Sequence, residues 1–304
     1  LLARLYVNAE VYTVTPQWEK AAQYAKKVID ADYQLNTNGA GVWTAYQMLF
    51  MADNGETNAA LEAVFPILQD GSNTTSWGGT LFCIASCFSN DMHANPSDAA
   101  ATNNTDQAWG GNRARPELIQ KFFPLNNAPE DVQSYDMAAA ANDDRALFCS
   151  AGHTLDVEKV TEFSNGYGVA KWTNFTSTGA AAKNASFPDT DFFLFRLAEA
   201  YLTYAEATAR TNGGKTTTEG TDLINKVRAR ANASTRTDGS SYTLNDIIDE
   251  WAREFYYEGR RRVDLIRFGL YGGNNDYKWQ WKGGAYNGTN FSKDLNIYAI
   301  PSIS

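Results

Sequence analysis

Histidine is nearly absent from this chain, with His93 and His153 the only two, and cysteine is limited to Cys83, Cys87 and Cys149. An odd set of three thiols cannot build a disulfide framework. A zinc site on Cys83, Cys87 and His93 can be imagined, but the only other histidine is the distant His153, so the thiols read as buried or idle. There is no Gly-x-Ser-x-Gly elbow, no phosphate-cradling glycine loop and no metal-spaced histidine cluster, which removes the common nucleophilic, nucleotide-dependent and metallohydrolase chemistries. What remains for an enzyme is a carboxylate pair of the glycosidase kind, and the acidic residues of the helical segments sit beside arginines that neutralise them. The chain therefore reads as a binding protein and not an enzyme. Positive charge is also scarce: 26 Lys and Arg against 35 Asp and Glu leave a net charge of −9, which excludes nucleic acid or an anionic membrane surface as partner. No apolar run reaches the roughly 18 residues of a membrane span, and the opening LLARLY carries no signal peptide, lipidation cysteine or cap. It starts in mid-helix, as a fragment would.

What the sequence has in excess is aromatic surface, with eight Trp and sixteen Tyr. Flat rings beyond the needs of a core are available for stacking on a ligand or filling an interface. Helical patterning is strongest in residues 189–269. Residues 192–207 are apolar almost all round and predict a buried helix, with Asp189 or Thr190 as its cap and Asn212-Gly213-Gly214 as its stop. A second helix over 221–232 places Leu223, Ile224, Val227 and Ala231 on one face. A third follows Thr243, which with Asp246 makes a near capping box, and Gly259 stands where that helix ends. Along it Glu250, Arg253, Glu254 and Glu258 recur three or four residues apart and predict an ion-pair network with one another and with the arginines of 260–267.

Upstream, residues 1–12 and 17–31 predict a helical hairpin of tetratricopeptide type, with Thr15-Pro16 as cap and first helical position. Residues 42–51 read as a short helix and 60–68 as a strand. From residue 70 to 188 the texture is loop-rich, with Gly, Asn, Ser, Thr and Asp between isolated aromatics. A helix is expected from Arg115-Pro116-Glu117 to Phe123, and short strands between 154 and 186. Two Trp-Gly-Gly motifs, at Trp77 and Trp109, expose an indole beside glycines in this region. Neutral oligosaccharides need such rigid aromatic platforms beside a few fixed polar groups, so Trp77, Trp109, Asn112 and Arg113, with Arg115 as an outer candidate, form the predicted glycan site. Asp189 and Asp191, two residues apart, with Glu56 as a third oxygen source, form a candidate calcium site, with capping of the following helix as the alternative role. The aromatic stretch 271–290, with Trp279, Trp281 and Tyr286, either faces a partner or covers the final helix.

The strings RLAEAYLTYAEA (196–207), INKVRARA (224–231) and EWAREFYYEGRRRVDLIRFG (250–269) resemble, in order, the C-terminal half of the SusD/RagB family. LLARLYVNAEVYT (1–13), VFPILQDGSNTTSWGGT (64–80) and KWQWKGG (278–284) extend the likeness to nearly the whole chain, nearest to the starch-binding branch. The resemblance implies a mostly α-helical single domain in which tetratricopeptide-like hairpins pack with a loop-rich region carrying few short strands. It implies a surface-exposed, outer-membrane lipoprotein that captures oligosaccharide, an α-glucan for this branch, and delivers it to a SusC-like TonB-dependent transporter. The family's glycan platform falls in the stretch around Trp109, and some relatives carry calcium on acidic residues that align with Asp189 and Asp191. A lid protein of such a transporter, structural or peptide-binding, is the alternative. The family's N-terminal signal, anchoring cysteine and first helices would all precede Leu1, and relatives continue beyond the closing IYAIPSIS.

Overall fold

A computed structural model describes residues 1–299, so the end of IYAIPSIS lies outside the described residues. Helices dominate. The opening helix divides in two, α1 (Leu2–Val7) and α2 (Ala9–Thr13), because the Asn8 amide donates back to the Arg4 carbonyl at 2.8 Å. The next helix, α3 (Trp18–Ile29), has its cap position two residues later than expected, at Gln17, and without a side-chain cap. The expected cap does not form, since the Thr15 hydroxyl turns back to the Thr13 carbonyl. Ala21 and Ala25, one helical turn apart, are fully buried on the face of α3 that packs on α7. The predicted helix at 42–51 is reduced to one tight turn, Gln47–Phe50, and a second such turn at Asn58–Glu62 leads into strand β1 (Ala63–Ile67).

Residues 70–188 hold only short elements: α4 (Gly79–Ala85), α5 (Pro116–Ile119), α6 (Ser134–Ala141), and the two-residue strands β2 (Phe148–Cys149) and β3 (Gly168–Val169), which pair antiparallel. Lys171 and Trp172 are core residues, 1% and 2% exposed. After this region the predicted long helix is corrected. Residues Phe192–Arg196 form a strand, β4, antiparallel to β1, and only from Leu197 to Thr211 does the chain become helix α7. The pairing partner, 130 residues upstream, outweighs local helical patterning by taking up the backbone groups of β4. Arg196, not Asp189, occupies the helix cap position, with no side-chain cap.

α8 (Thr218–Arg230) and α9 (Leu244–Phe255) follow, and α9 carries the predicted capping box complete, with Thr243 and Asp246 serving each other's backbone N–H. The last helix, α10 (Arg261–Arg267), begins after Gly259, whose φ of 74° needs a residue without a Cβ penalty. Helix α7 packs between α3 and α8 and also touches α9, forming one core of Leu202, Ile224, Val227, Ile247 and Trp251. A larger core gathers Trp43, Phe50, Phe88, Phe148 and Trp172 under the loop-rich region.

Between the two cores lies the ion-pair network, in which the predicted Arg253–Glu250 pair forms at 2.8 Å while the other partners differ from the predicted ones. Arg196 reaches Glu62 at 3.0 Å, Glu254 at 2.5 Å and Glu258 at 2.8 Å. Arg145 takes Asp143 at 2.8 Å and Glu250 at 2.6 Å, and Arg230 takes Glu62 and Glu254. The downstream arginines serve α7 instead: Arg260 pairs with Glu199 and Arg267 with Glu206. Burial pushes the Glu254 carboxyl up, but the guanidiniums of Arg230, Arg196 and Arg145 outweigh it and hold the group at about 2.

The pH consequence has a definite sign. An unfolded glutamate takes its proton near 4.5, while native Glu254 keeps its charge down to about 2. Below 4.5 the unfolded state therefore binds more protons, and stability falls as pH drops through that window. The loss traceable to Glu254 alone is at most about 3 kcal/mol. Thermal melts from pH 5 to pH 2 are expected to show a steep fall in Tm below pH 4.5; a flat profile to pH 3 contradicts the network's role.

Candidate glycan-binding platform

Helix α4 is the frame of the site. Trp77 lies just before it, and Leu81, Ile84 and Ala85 bury one of its faces, which turns Phe82 outward. The last turn of a helix leaves carbonyl groups without intrahelical partners. Here the second Trp-Gly-Gly motif supplies them. The N–H of Trp109 donates to Ala85 O at 2.7 Å, that of Gly110 to Phe88 O at 2.9 Å, and those of Gly111 and Asn112 to Ser86 O at 2.9 and 2.6 Å. The loop is thereby strapped along the helix end. Gly110 sits at φ 59° with the Phe163 ring 3.4 Å from where a Cβ would be, so the strap requires glycine there.

The strap brings the rings together. The centroids of Trp77 and Trp109 are 6.4 Å apart at 39°, and Phe82 lies 6.4 Å from Trp109. Exposure is 60% for Trp77, 51% for Phe82 and 40% for Trp109, so three rings form an open platform on the surface. Each indole is oriented by a neighbour: the Trp109 Nε1–H donates to Gln107 Oε1 at 3.0 Å, and Trp77 stands edge-on to Phe187 at 5.2 Å. Asn112 is exposed at the strap's end, where its Nδ2 donates to Ser86 Oγ at 3.0 Å and leaves Oδ1 toward solvent.

Two of the predicted polar partners are elsewhere or occupied. Arg113 spends its guanidinium on carbonyls, with Nε donating to Asn165 O at 2.5 Å, Nη1 to Gly111 O at 2.8 Å and Nη2 to Val160 O at 2.8 Å. It clamps the 159–165 loop, with four of its five N–H groups given to backbone carbonyls. Arg115 lines a different cavity. Phe82, Gln107 and Phe187 are members that the sequence reading missed. For Phe82 the signal was available, because the apolar register of α4 through Leu81, Ile84 and Ala85 leaves it on the outer face.

The acidic residues do converge. Glu56, Asp189 and Asp191 line one cavity with Asp70 and Lys183. Asp189 caps no helix: its Oδ1 accepts the Gly71 N–H at 2.8 Å and its Oδ2 the Lys183 N–H at 3.1 Å, while Asp191 Oδ1 accepts the Gln69 N–H at 2.7 Å. Burial pushes the Asp191 carboxyl up, and Glu56 and Asp189 add to that against the Gln69 N–H. The Lys183 ammonium sits 2.9 Å from Asp70 and 3.7 Å from Asp189. The oxygen donors have the chemistry of a hard-cation site. As placed, no group of three His, Cys, Asp or Glu among the described residues could hold a metal ion. The thiols are likewise unreactive, since burial pushes Cys83 and Cys149 up to about 11 and Cys87 to about 12. No helix among the described residues is long and apolar enough to cross a membrane.

Comparison with known proteins places the chain. The model of the SusD family matches residues 139–301. The starch-binding protein SusD of Bacteroides thetaiotaomicron is 39% identical over 332 aligned residues, which take in 99% of this chain and 56% of that protein. A SusD-like protein of Bacteroides ovatus is 36% identical over 94 residues, covering 30% of this chain and 17% of the relative. This chain thus spans little more than half the length of the starch-binding relative. Among solved structures, surface glycan-binding protein A from Bacteroides thetaiotaomicron in complex with laminarihexaose superposes with a TM-score of 0.56 at 19% identity, over 97% of this chain and 58% of that one. A structure with a xylogluco-oligosaccharide gives 0.59 at 20% identity, over 98% and 61%. At these identities the likeness is one of fold.

Proposed function

The chain belongs to the SusD family, and on that premise we propose that it is a non-catalytic glycan-binding protein of the bacterial cell surface. It captures α-glucan oligosaccharide on the Trp77–Phe82–Trp109 platform and passes it to a SusC-like TonB-dependent transporter of the outer membrane, to which membrane a lipid anchor ties it. The observation that carries this reading is the trio of exposed rings in which Trp77 and Phe82 each lie 6.4 Å from the strapped Trp109. Rings held open to water by backbone hydrogen bonds are costly unless something flat covers them. A neutral sugar offers such a face, while its hydroxyls suit amide groups such as Asn112 and Gln107. The starch-binding relative's 39% identity favours α-glucan over the β-linked ligands of the more distant structures. Isothermal titration tests it: maltoheptaose is expected to give saturable heat and no release of reducing ends, and silence toward maltoheptaose would favour the transporter-lid alternative.

Calcium is a separate proposal, supported by the four carboxylates around Lys183 and the raised Asp191. Asp189 and Asp191, with Glu56 and Asp70, would hold the ion once Lys183 swings to solvent, and the ion would supply the missing counter-charge. Calcium at a hundredfold its Kd is then expected to stabilise by about 2.7 kcal/mol. Identical melts in calcium and in chelator would end this proposal.

A further inference from the structure

A second cavity, of about 380 Å³, opens between α5, α9, α10 and the aromatic stretch 271–290, and none of the platform rings lines it. That volume is in the range of small-ligand sites. Its outer wall is aromatic, with Trp279 stacked on Tyr271 at 5.9 Å and 21°, and Tyr277 6.2 Å from Trp279. Around this wall stand three guanidiniums without a carboxylate partner among the described residues. Arg261 donates to Ile248 O at 2.7 Å and to the Tyr277 hydroxyl at 2.6 Å. Arg262 donates to the carbonyls of Leu295 and Asn296 at 2.9 and 3.0 Å. Arg115 is exposed at the rim. The fourth cation, Lys121, is neutralised by Asp249 at 2.7 Å. In a chain of net charge −9 this is a local surplus of positive charge.

The acidic member is Glu117, and it is half served. Its Oε1 accepts the Gln280 N–H at 2.8 Å, while its Oε2 is buried with no hydrogen-bond partner. A buried acceptor left unmade is costly, so the cavity asks for a donor at that point. Three demands therefore coincide: an anion for guanidiniums that have no carboxylate partner among the described residues, a hydroxyl or N–H for Glu117, and a flat C–H face for Trp279 and Tyr271. An inorganic anion such as sulfate meets only the first, and a neutral glucan only the second and third.

We propose that this cavity is a second carbohydrate site, selective for a short oligosaccharide bearing a carboxylate, as uronate sugars do. The sugar carboxylate sits against Arg115 and its neighbouring arginines, a ring hydroxyl donates to Glu117 Oε2, and a pyranose face covers Trp279. The site is independent of the platform, so its ligand does not compete with α-glucan.

Titration of the intact chain with digalacturonic acid, with maltose as the neutral control, tests this. Saturable binding of digalacturonate is expected, weakened about tenfold in Arg115→Ala, which loses a charge-assisted contact. The Arg115 side chain is at the surface and makes no hydrogen bond or ion pair among the described residues, and alanine keeps the backbone contacts that start α5, so this variant keeps its fold. Weakening is also expected in Trp279→Ala and in Glu117→Ala, and affinity is expected to stay at the wild-type level in Trp109→Ala. The proposal is overturned by the absence of binding up to about 10 mM, by equal affinity in Arg115→Ala, by equal affinity for maltose and digalacturonate, or by loss in Trp109→Ala.

Discussion

Arg196→Ala is expected to cost about 3–5 kcal/mol of folding stability, the range for breaking a buried pair by removing one partner. The side chain is 1% exposed and touches Glu62, Glu254 and Glu258, and its Nη2 also donates to the Glu254 carbonyl at 2.9 Å. Deleting it leaves carboxylates in the seam between the two cores with less compensation than they have now. Arg230 still serves Glu62 and Glu254, and Lys171 still reaches Glu258 at 2.6 Å, which sets the upper end of the range and not more. Urea unfolding at pH 7 measures the loss, and a change below about 1 kcal/mol would reclassify the contacts as no better than surface ion pairs. Because Arg196 also joins β4 to α7, the same variant reports on the scaffold that holds the 70–188 loops in place.

Trp109→Ala is expected to weaken maltoheptaose binding by about 2–4 kcal/mol, the loss typical of a central aromatic anchor. Trp109 is the middle ring, within 6.4 Å of both Trp77 and Phe82, so its removal takes away the platform's continuity as well as one face. Its fold contribution is carried by the backbone strap, which alanine preserves through the same N–H to Ala85 O bond. Stability is therefore expected to change by less than about 1 kcal/mol, which separates loss of binding from loss of folding. Trp77→Ala is expected to cost less, because that ring is more exposed and has one platform neighbour. Arg113→Ala serves as a contrast: it is expected to loosen the 159–165 loop and lower stability while changing affinity little. Equal affinity of wild type and Trp109→Ala would move the site elsewhere.

What could be read from the sequence follows the range of the interactions. The capping box of Thr243 and Asp246 spans three residues and was legible as it stands in the structure. The buried faces of α3 and α8 followed from helical spacing for the same reason. Strand β4 was not legible, because its partner Ala63–Ile67 is far away in sequence and its own residues have helical apolar texture. The glutamates of α9 announced ion pairing and the local Arg253–Glu250 pair, but not their distant partners: Arg145 lies 105 residues from Glu250 and Arg196 lies 58 from Glu254. The platform divides in the same way. Trp-Gly-Gly motifs signalled exposed indoles, and both are exposed. The carbonyl partners of Arg113 were not legible, because they come from residues 160 and 165, which nothing local to Arg113 specifies.

The measurement that bears most directly on the glycan reading is a crystal structure of the protein grown with maltoheptaose. The account predicts glucose rings stacked along Trp77, Phe82 and Trp109, with hydroxyls at Asn112 and Gln107 and no bond cleaved. Sugar bound only at another surface, or the three rings folded inward beneath an empty face, would contradict it.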